Sequence, residues 1–494
     1  MLLSQKLCYK YVVLTFIFFG LQGIVSTGGA LDTAFPDLPN PVPFTAGRSF
    51  HLNISILWPL FGITGIVYYF FSREAGREMY SLKLIEANFW VFLVTIVTIL
   101  GSLVLGFNEG IEYLEAWRPL KLGIAVSISL LFYNLIRTYL AAKVPKSRAT
   151  LVSILAGSFT LIVFFLPNLL RYAHPVAEEF LKFWVVHLWE ELSLELIGTG
   201  VLAAAVLNLP GMQRSVIENV IYLDITVMVL TGVLATGHHY YWAGGPFYWI
   251  WIGGAFSTIQ VVPAFLLLYA IGKTVKLQYF FQLGQREKVV MVMIASSMFY
   301  HIFGAGLLGF LMAVPAVNKY IHGTYITSAH SHLAVFGVFG FLVLALGYYI
   351  FFSEIALDTQ SYRLSLLGVF CLNAGLLVMS AALLVAGGLQ SYLWYVAGLS
   401  VGETNQGIFP WLLLRLVGGL TYTTGSSLLT YIIIKKVWSN FALCFPSLAM
   451  LEQQRTITLQ ELHSGFQQVH TAGSKLEQVL RQTKLLLDKY RNLK

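Results

Sequence analysis

Residues 325–352 read YITSAHSHLAVFGVFGFLVLALGYYIFF, without a single Asp, Glu, Lys or Arg. About 20 apolar residues are enough for a helix to cross the hydrocarbon core of a bilayer, so this stretch predicts a transmembrane helix. Two histidines, His330 and His332, lie near its start. Because ionisable side chains inside a membrane are costly and face a bundle interior or a cavity, this pair predicts a functional site.

The composition of the whole chain indicates many such helices. Its 494 residues are 57% hydrophobic and only 11% charged, whereas soluble domains carry about 25% charged residues. The net charge of +8 therefore indicates membrane topology and contact with anionic lipid, and no nucleic acid is expected as a partner. The three cysteines form no CxxC or CxxCH motif, which argues against disulfide frameworks, zinc knuckles and covalently attached c-type haem.

Hydropathy predicts an all-α membrane protein with about twelve transmembrane helices. The predicted spans lie near residues 10–30, 52–72, 87–107, 121–142, 149–168, 180–208, 220–243, 248–271, 287–313, 325–352, 363–388 and 409–436. The first span also fits a signal peptide, because Lys6 and Lys10 precede an apolar run that ends in small residues. We favour a transmembrane helix there, since it keeps the charge pattern of the loops consistent.

Lys and Arg are concentrated in the even-numbered loops of this arrangement. By the positive-inside rule, these loops and both termini are predicted to be cytoplasmic. Residues 441–494 form a predicted cytoplasmic tail in which apolar residues recur at three-, four- and seven-residue spacings. This spacing fits an amphipathic helix or a short coiled coil, whereas Gly465 and Gly473 fit a loosely ordered tail equally well.

Six histidines share one depth in the predicted membrane. They are His51, His187, His238, His239, His330 and His332. All six lie in the outer half of the bilayer, although the spans that carry them run in both directions. A lone histidine inside a span is more often a packing residue, but six at one depth predict a shared site.

The spacing within residues 325–352 allows one helix to serve two haems. His330 and His332 are two residues apart, so their side chains point about 200° away from each other. His51 lies at a similar depth on another span and can supply the opposite axial ligand of one haem. A haem held by two histidines is six-coordinate and transfers electrons, whereas the other haem keeps an open position for a substrate.

The other three histidines, His187, His238 and His239, form a complete ligand set for a transition metal ion. Glu191 follows His187 by one helical turn on the same face, and Glu195 follows one turn later. Because carboxylate is a hard ligand, this set suits iron better than copper. Glu191 is alternatively a residue that orients a ligand or carries protons.

Five stretches of the sequence are similar to one known family. They are RSFHLNISILWPLFG (48–62), NEGIEYLEAWRP (108–119), HLWEELSLELIGTG (187–200), TGHHYYWAGGPFYW (236–249) and SAHSHLAVFG (328–337). Together they resemble the large, cytochrome-b-containing subunit of nitric oxide reductase, in the haem–copper oxidase superfamily. The similarity covers roughly residues 10–436. It implies a haem–copper oxidase subunit I-like bundle, with a transmembrane haem-binding catalytic domain over residues 1–440.

The resemblance also implies a role for each site residue. The implied ligands are His51 and His332 for a low-spin haem b, His330 for a high-spin haem b3, and His187, His238, His239 and Glu191 for non-haem iron. Glu112 and Glu115 match the family's acidic pair near the haem propionates, where a calcium ion and a proton path are expected. Glu195 would lie beside the active site.

The chain departs from the family pattern at Gln260, in the stretch FSTIQ (256–260), where the family usually has a glutamate. Glutamine preserves shape and hydrogen bonding but carries neither a proton nor a charge. The change fits a variant subclass that still reduces nitric oxide, altered proton delivery or rate, or a related gas chemistry.

The resemblance therefore predicts an oxidoreductase that joins two nitric oxide molecules to give nitrous oxide and water. The nearest alternative is a haem–copper-type oxygen reductase, although many of those have a tyrosine at the position of Glu191. A histidine-lined transporter is the alternative from another class, but the sequence shows no internal repeat to favour it.

The sequence also raises expectations about partners. Electrons are expected from a separate small subunit of cytochrome c or copper type, because no further domain precedes the first span. The expected location is the lipid bilayer of the prokaryotic cytoplasmic (inner) membrane.

Overall fold

A computed structural model of the chain describes residues 1–35, 37, 39, 44–143, 145–207, 213–274 and 277–453. These residues form helices and no strand. The main helices are α1 (Cys8–Ala34), α2 (Phe44–Ala75), α3 (Leu82–Val104), α4 (Arg118–Leu140), α5 (Arg148–Phe165), α6 (Pro175–His187), α7 (Glu195–Val206), α8 (Arg214–Ala235), α9 (Phe247–Thr274), α10 (Gln285–Tyr300), α11 (Leu308–Ala313), α12 (Tyr325–His332), α13 (Phe341–Phe351), α14 (Thr359–Tyr395) and α15 (Val401–Ser439). Shorter helices are Leu3–Lys6, Leu277–Gln282, Pro315–Ile321 and Phe441–Cys444.

Three of the long helices change pitch along their length. π-helical turns join α6 to α7 at Leu188–Leu194, α10 to α11 at His301–Leu307, and α12 to α13 at Leu333–Gly340. A tighter 3-10 turn, Thr236–His239, ends α8, and another, Leu166–Leu169, follows α5. π turns are rare and occur often at functional sites.

Each of the twelve predicted spans falls on one of these helical segments. Ten helices of the described part are long and apolar enough to cross a membrane. The other two predicted spans lie on the continuous α6–α7 segment, which contains the site glutamates, and on α15. The all-α prediction and its helix bundle are confirmed.

Helix α1 lies inside the bundle. The Tyr11 hydroxyl donates a hydrogen bond to the carbonyl oxygen of Ile85 at 3.1 Å. The Thr430 hydroxyl of α15 donates to the carbonyl oxygen of Phe16 at 2.7 Å. These contacts favour a permanent helix over a cleaved signal peptide, because removal of α1 would uncover both partners.

Polar caps define where several helices begin. Ser81 and Ser147 accept hydrogen bonds from backbone N–H groups three residues later, at 3.2 Å and 3.4 Å. Asp358 caps α14 in the same way at 2.8 Å. The Lys436 ammonium lies 2.8 Å from Asp358 and, through its hydrogen bond to the carboxylate, holds the pKa of this acid well below its usual value. Such caps satisfy backbone donors that helix starts leave unpaired.

The chain divides into two units, Met1–Phe445 and Pro446–Lys494. In the second unit, the Ser447 hydroxyl accepts a hydrogen bond from the Met450 backbone N–H at 3.2 Å. The predicted amphipathic or loosely ordered tail, residues 441–494, lies mostly outside the described residues, and its conformation and cytoplasmic location stay predictions.

Glycines hold α14 and α15 at close range. A Cβ built on Gly418 would lie 2.5 Å from the Met379 backbone nitrogen and 2.9 Å from the Gly375 carbonyl oxygen. A Cβ built on Gly425 would lie 2.6 Å from the Gly368 carbonyl oxygen. Small residues at helix interfaces let membrane helices pack closely, so these positions have no room for a side chain.

Gly418→Ala is expected to lower the thermal midpoint of the purified protein, because the added methyl group overpacks the interface at a cost of about 1–3 kcal/mol. Gly419→Ala is the matched control, since a Cβ there meets nothing within 4 Å. Alanine also favours a helix over glycine by about 1 kcal/mol, so this control should melt at or above the wild-type temperature. Equal midpoints for the two variants would contradict the close approach.

Candidate metal and redox centre

The six histidines predicted to share one depth surround the interior of the bundle. Five of them line a cavity of about 520 Å³, which we call the larger cavity; they are His51, His238, His239, His330 and His332. The sixth, His187, is 1% exposed and contacts the rings of His238 and His239. Glu191, Glu195 and Gln260 line the same cavity. Its volume lies in the range that ligand pockets usually have.

Four of these residues converge on one point. Atom Oε1 of Glu191 lies 3.3 Å from His187 Nδ1, 3.7 Å from His238 Nε2 and 3.2 Å from His239 Nε2. One ligand atom from each residue lies within 4.8 Å of the others, and this set, the metal group, is able to hold a metal ion. Three imidazoles and one carboxylate meeting in this way suit a transition metal.

Backbone carbonyls fix the orientation of two rings of the metal group. His187 Nε2 donates to the Gly232 carbonyl oxygen at 3.0 Å, which leaves Nδ1 free to bind a metal. His238 Nδ1 donates to the Ala235 carbonyl oxygen at 2.7 Å and leaves Nε2 free. A hydrogen bond on the second nitrogen is what usually sets the tautomer and ring orientation of a metal-binding histidine.

Local helix geometry and packing place these side chains. The π turn after His187 carries Glu191, and the 3-10 turn at the end of α8 carries the adjacent pair His238 and His239. The His239 ring stacks on Phe183, with ring centres 5.3 Å apart and an angle of 14° between the planes. A side chain on Gly253 of α9 would clash with the backbone nitrogen of His238, so glycine there lets α9 pack directly against the pair.

The rings of His51 and His332 are neighbours at a separation compatible with one metal ion between them. Their ring centres are 6.1 Å apart, and the angle between their planes is 28°. Two collinear metal–imidazole bonds of about 2.0–2.1 Å separate ring centres by roughly 6 Å. His51 Nδ1 bonds the Ser26 hydroxyl at 2.7 Å, and His332 Nδ1 donates to the Ser328 carbonyl oxygen at 2.6 Å. Both Nε2 atoms are thereby left for a metal.

His330 belongs to a different part of the site. Its Nδ1 donates to the Gly304 carbonyl oxygen at 3.0 Å. It lines only the larger cavity, whereas His51 and His332 also line a second cavity of about 330 Å³, the smaller cavity. Both histidines of α12 therefore line the larger cavity, and only His332 also lines the smaller cavity.

Glu195 and Gln260 also line the larger cavity. Oε1 of Glu195 is 3.4 Å from Nε2 of His301, the first residue of a π turn. The amide of Gln260 is 8% exposed, and neither its nitrogen nor its oxygen has a hydrogen-bond partner among the described residues. An amide so placed is available to a ligand or to water within the cavity.

The acidic pair Glu112 and Glu115 lies in the loop between α3 and α4. Glu112 pairs with Arg48, and both line the larger and smaller cavities. Glu115 accepts a hydrogen bond from Asn53 at 2.9 Å, and burial raises the pKa of its carboxyl group. Calcium takes six to eight oxygen ligands. Among the described residues, Glu112 and Glu115 do not belong to a cluster of three or more His, Cys, Asp or Glu side chains that could hold a metal ion, so the expected calcium ion stays a prediction.

Two residues of the site had not been singled out from the sequence. His301 faces Glu195, and Arg415 of α15 lines the smaller cavity with His51 and His332. No acidic side chain of the described ranges forms an ion pair with Arg415. Both residues lie mid-span, where an ionisable group signals function, but only the folded bundle shows what they contact.

His322 is a further imidazole that lines the larger cavity. Burial lowers its pKa to about 4, so the ring is neutral at neutral pH. It is not part of the metal group.

Comparison with known proteins agrees with this architecture. Residues 6–421 match the family described as "Cytochrome C and Quinol oxidase polypeptide I". The chain is 30% identical over 461 residues to a nitric oxide reductase subunit of Stutzerimonas stutzeri, covering 85% of this chain and 93% of that protein. It is 23% identical over 447 residues to a cytochrome c oxidase subunit 1 homolog of Agrobacterium tumefaciens (strain T37), covering 85% and 82%.

A solved structure shares the fold. The cryo-EM structure of a heme-copper terminal oxidase dimer superposes with a TM-score of 0.73 at 15% identity, over 88% of this chain and 84% of that one. At this identity the likeness concerns the arrangement of helices.

His239→Ala is expected to remove the metal ion held by the metal group, since it deletes one of four ligands that meet at one point. Changing a residue that only hydrogen-bonds to a metal ligand typically lowers metal affinity roughly 10- to 100-fold. Loss of the ligand itself should lower it at least as much. The measurement is elemental analysis of the purified protein. His174→Ala is the control, because His174 is an exposed residue that caps α6. Full metal content in His239→Ala would contradict the assignment.

Proposed function

The chain belongs to the cytochrome c and quinol oxidase polypeptide I family, which makes it a multi-pass membrane oxidoreductase, and from that premise we propose that it reduces nitric oxide to nitrous oxide. The observation that carries this proposal is the Glu191 carboxylate, whose oxygen lies 3.2–3.7 Å from three imidazoles. A fourth, anionic oxygen ligand suits iron, whereas copper prefers softer donors. The relative named as a nitric oxide reductase subunit supports the same choice.

The proposed ligand allocation is the one that the family resemblance implies, and the free ring nitrogens support it. His51 and His332 hold a low-spin haem b, His330 holds a high-spin haem b3, and the metal group of His187, His238, His239 and Glu191 holds non-haem iron. When bound, the haems supply electrons and, with the iron, open coordination positions for substrate. The ring nitrogens left free beside the two cavities fit this allocation in number and position.

In the proposed reaction, two nitric oxide molecules, two electrons and two protons give one nitrous oxide and one water. The N–N bond forms, one N–O bond breaks, and the protons end on the released oxygen. The protein must therefore bring protons to a buried site. Glu191 balances positive charge at the metal group, and Glu195 with His301 holds a proton beside it, at 3.4 Å between their nearest atoms.

Gln260 makes Glu191 the more important carboxylate. The glutamine amide faces the larger cavity without a partner, and it contributes hydrogen bonds but no charge. The negative charge that offsets the metal ion therefore comes from Glu191.

Oxygen reduction is the second candidate function, favoured by the relative named cytochrome c oxidase subunit 1 homolog.

The proposed partners and location complete this function. The proposed substrate is nitric oxide, and the proposed electron donor is a small subunit of cytochrome c or copper type. The chain lies in a prokaryotic cytoplasmic membrane with both termini cytoplasmic. Calcium binding at Glu112 and Glu115 is part of the proposal, and burial of Glu115, which raises the pKa of its carboxyl group, suits a proton carrier near the outer surface.

His51→Ala is expected to abolish the low-spin haem signal in the reduced-minus-oxidised spectrum and to leave the high-spin signal largely intact, because the two haems take different histidines. His330→Ala should do the reverse. Ser26→Ala is the control variant, because it removes only the hydrogen bond to His51 at 2.7 Å. It should keep both haems. Loss of the same signal from both histidine variants would contradict the allocation.

Glu191→Gln is expected to lower nitric oxide turnover by at least 100-fold, because proton transfer or charge at this position contributes about 10²–10⁴ to a rate. Gln260→Glu should keep or raise turnover, since it adds a carboxylate to the same cavity. The measurements are nitric oxide consumption and nitrous oxide yield with an artificial electron donor. Near-normal turnover in Glu191→Gln would show that Glu191 has only a packing role. A wild-type protein that consumes oxygen rapidly and nitric oxide not at all would contradict the proposed function.

A further inference from the structure

We infer that Asn318 is a positioning residue for the metal group and that, together with Gly254 of α9, it holds the His238–His239 pair in place. Both residues lie at a junction between α9, the 3-10 turn Thr236–His239 and the short helix Pro315–Ile321, which we call the bridging helix. Neither residue belongs to the metal group itself. The inference rests on the proposed function only in requiring that the metal group holds a metal ion.

The side chain of Asn318 joins two separate stretches of backbone. Its Nδ2 donates one hydrogen bond to the carbonyl oxygen of Met312, near the end of α11, at 2.8 Å. A second, longer bond goes to the carbonyl oxygen of His238 at 3.4 Å. Because a carbonyl oxygen can only accept, both partners require the amide nitrogen on this side, which fixes the orientation of the amide. One side chain thereby ties a metal-group ligand to the end of α11.

The amide oxygen of Asn318 remains for the larger cavity. The side chain is 5% exposed, and its Oδ1 has no hydrogen-bond partner among the described residues. A buried acceptor without a partner is costly, and Asn318 lines the larger cavity, so a donor within that cavity is the partner that Oδ1 can take. Neither nitric oxide nor nitrous oxide has a hydrogen to donate, whereas water has, so this oxygen suits a water molecule.

Two adjacent glycines of α9 let the parts of the junction approach each other. A Cβ built on Gly253 would clash with the backbone nitrogen of His238, and a Cβ built on Gly254 would lie 2.5 Å from the carbonyl oxygen of Ala313. Ala313 ends α11, two residues before the bridging helix begins. Helix α9 thus contacts the histidine pair and the segment that leads to Asn318 at neighbouring positions, so a shift of that segment is passed on to the pair.

The turn that carries His238 and His239 depends on such contacts from outside its own helix. It is a 3-10 turn of four residues, and the chain after it, residues 240–246, forms no regular helix. 3-10 turns have poorer hydrogen-bond geometry than α-helices, whereas a metal site tolerates ligand distances that vary by only about 0.2 Å. The bond from Asn318 and the contact with α9 hold this backbone against its neighbours.

The junction also connects the two sides of the site. The backbone N–H of His322, just after the bridging helix, donates to the carbonyl oxygen of Asn318 at 2.9 Å. The chain then enters α12, which carries His330, and His330 lines the larger cavity together with His238. Asn318 therefore lies where a ligand of the metal group is tied to the segment that leads to His330, so it helps to fix the distance between them.

The test compares Asn318→Leu and Gly254→Ala in the haem-loaded protein. Leucine keeps the size of the side chain but donates no hydrogen bond, and the alanine methyl group pushes the Ala313 carbonyl oxygen away from α9. The measurement is the rate at which a chelator removes the non-haem metal ion from the purified protein. In both variants this rate should rise at least tenfold, as expected when a partner of a metal ligand is lost, while the low-spin haem spectrum stays unchanged. Wild-type rates in both variants would overturn the inference.

Two matched controls separate positioning from general destabilisation. Gly272→Ala lies on the same helix as Gly254, but a Cβ there meets nothing within 4 Å, so its release rate should equal the wild type. Asn134 is a buried asparagine that bonds the backbone of Ser81 at 2.9 Å and 3.0 Å. Asn134→Leu should lower the thermal midpoint and leave metal release unchanged. Equal release rates in Asn134→Leu and Asn318→Leu would assign the effect to lost stability and overturn the inference.

The same experiment keeps this inference apart from the proposed function. A wild type that holds copper at the metal group and reduces oxygen would contradict the proposed function, and the release of copper from the same variants would still decide the role of Asn318. A wild type that holds iron and reduces nitric oxide, with wild-type metal release in both variants, would overturn the inference alone.

Discussion

Every imidazole in an apolar bundle must satisfy both ring nitrogens, and this requirement organises the centre of the protein. A polar group buried without a partner costs several kcal/mol. In four of the histidines, His187, His238, His330 and His332, one nitrogen bonds a backbone carbonyl. The second nitrogen of each is left without such a bond, and a metal ion is the partner that satisfies several of them at once. The ligand sets thus follow from what the backbone leaves unpaired.

Irregular helical turns lie beside several of these histidines. The Gly304 carbonyl that bonds His330 lies in the π turn that begins at His301, and further π turns follow His187 and His332. Close packing also positions the histidines, because the Gly253 backbone lies against His238 and the Gly304 carbonyl oxygen accepts a hydrogen bond from His330. A helix of uniform pitch with larger side chains would hold the same residues at other angles and greater distances.

The fold could be predicted from the sequence because its determinants are local. A span needs only length and hydropathy, so all twelve predicted spans fall on helices, and a shared depth was enough to group the six histidines. Contacts between helices could not be predicted. Nothing near His301 or Arg415 in the sequence indicates that His301 faces Glu195 or that Arg415 lines the smaller cavity. The pitch changes could not be predicted either, because hydropathy does not distinguish a π turn from a regular helical turn. The orientation of the termini and the calcium ion stay predictions.

The central claim is that a carboxylate among three imidazoles selects iron beside a high-spin haem. The most direct measurement is the metal content of the purified wild-type protein, compared with its haem content from the pyridine adduct spectrum. The account predicts one iron per chain beyond the two haem irons, with copper absent. One copper per chain and no iron beyond the haem irons would contradict it, and would assign the chain to oxygen reduction instead.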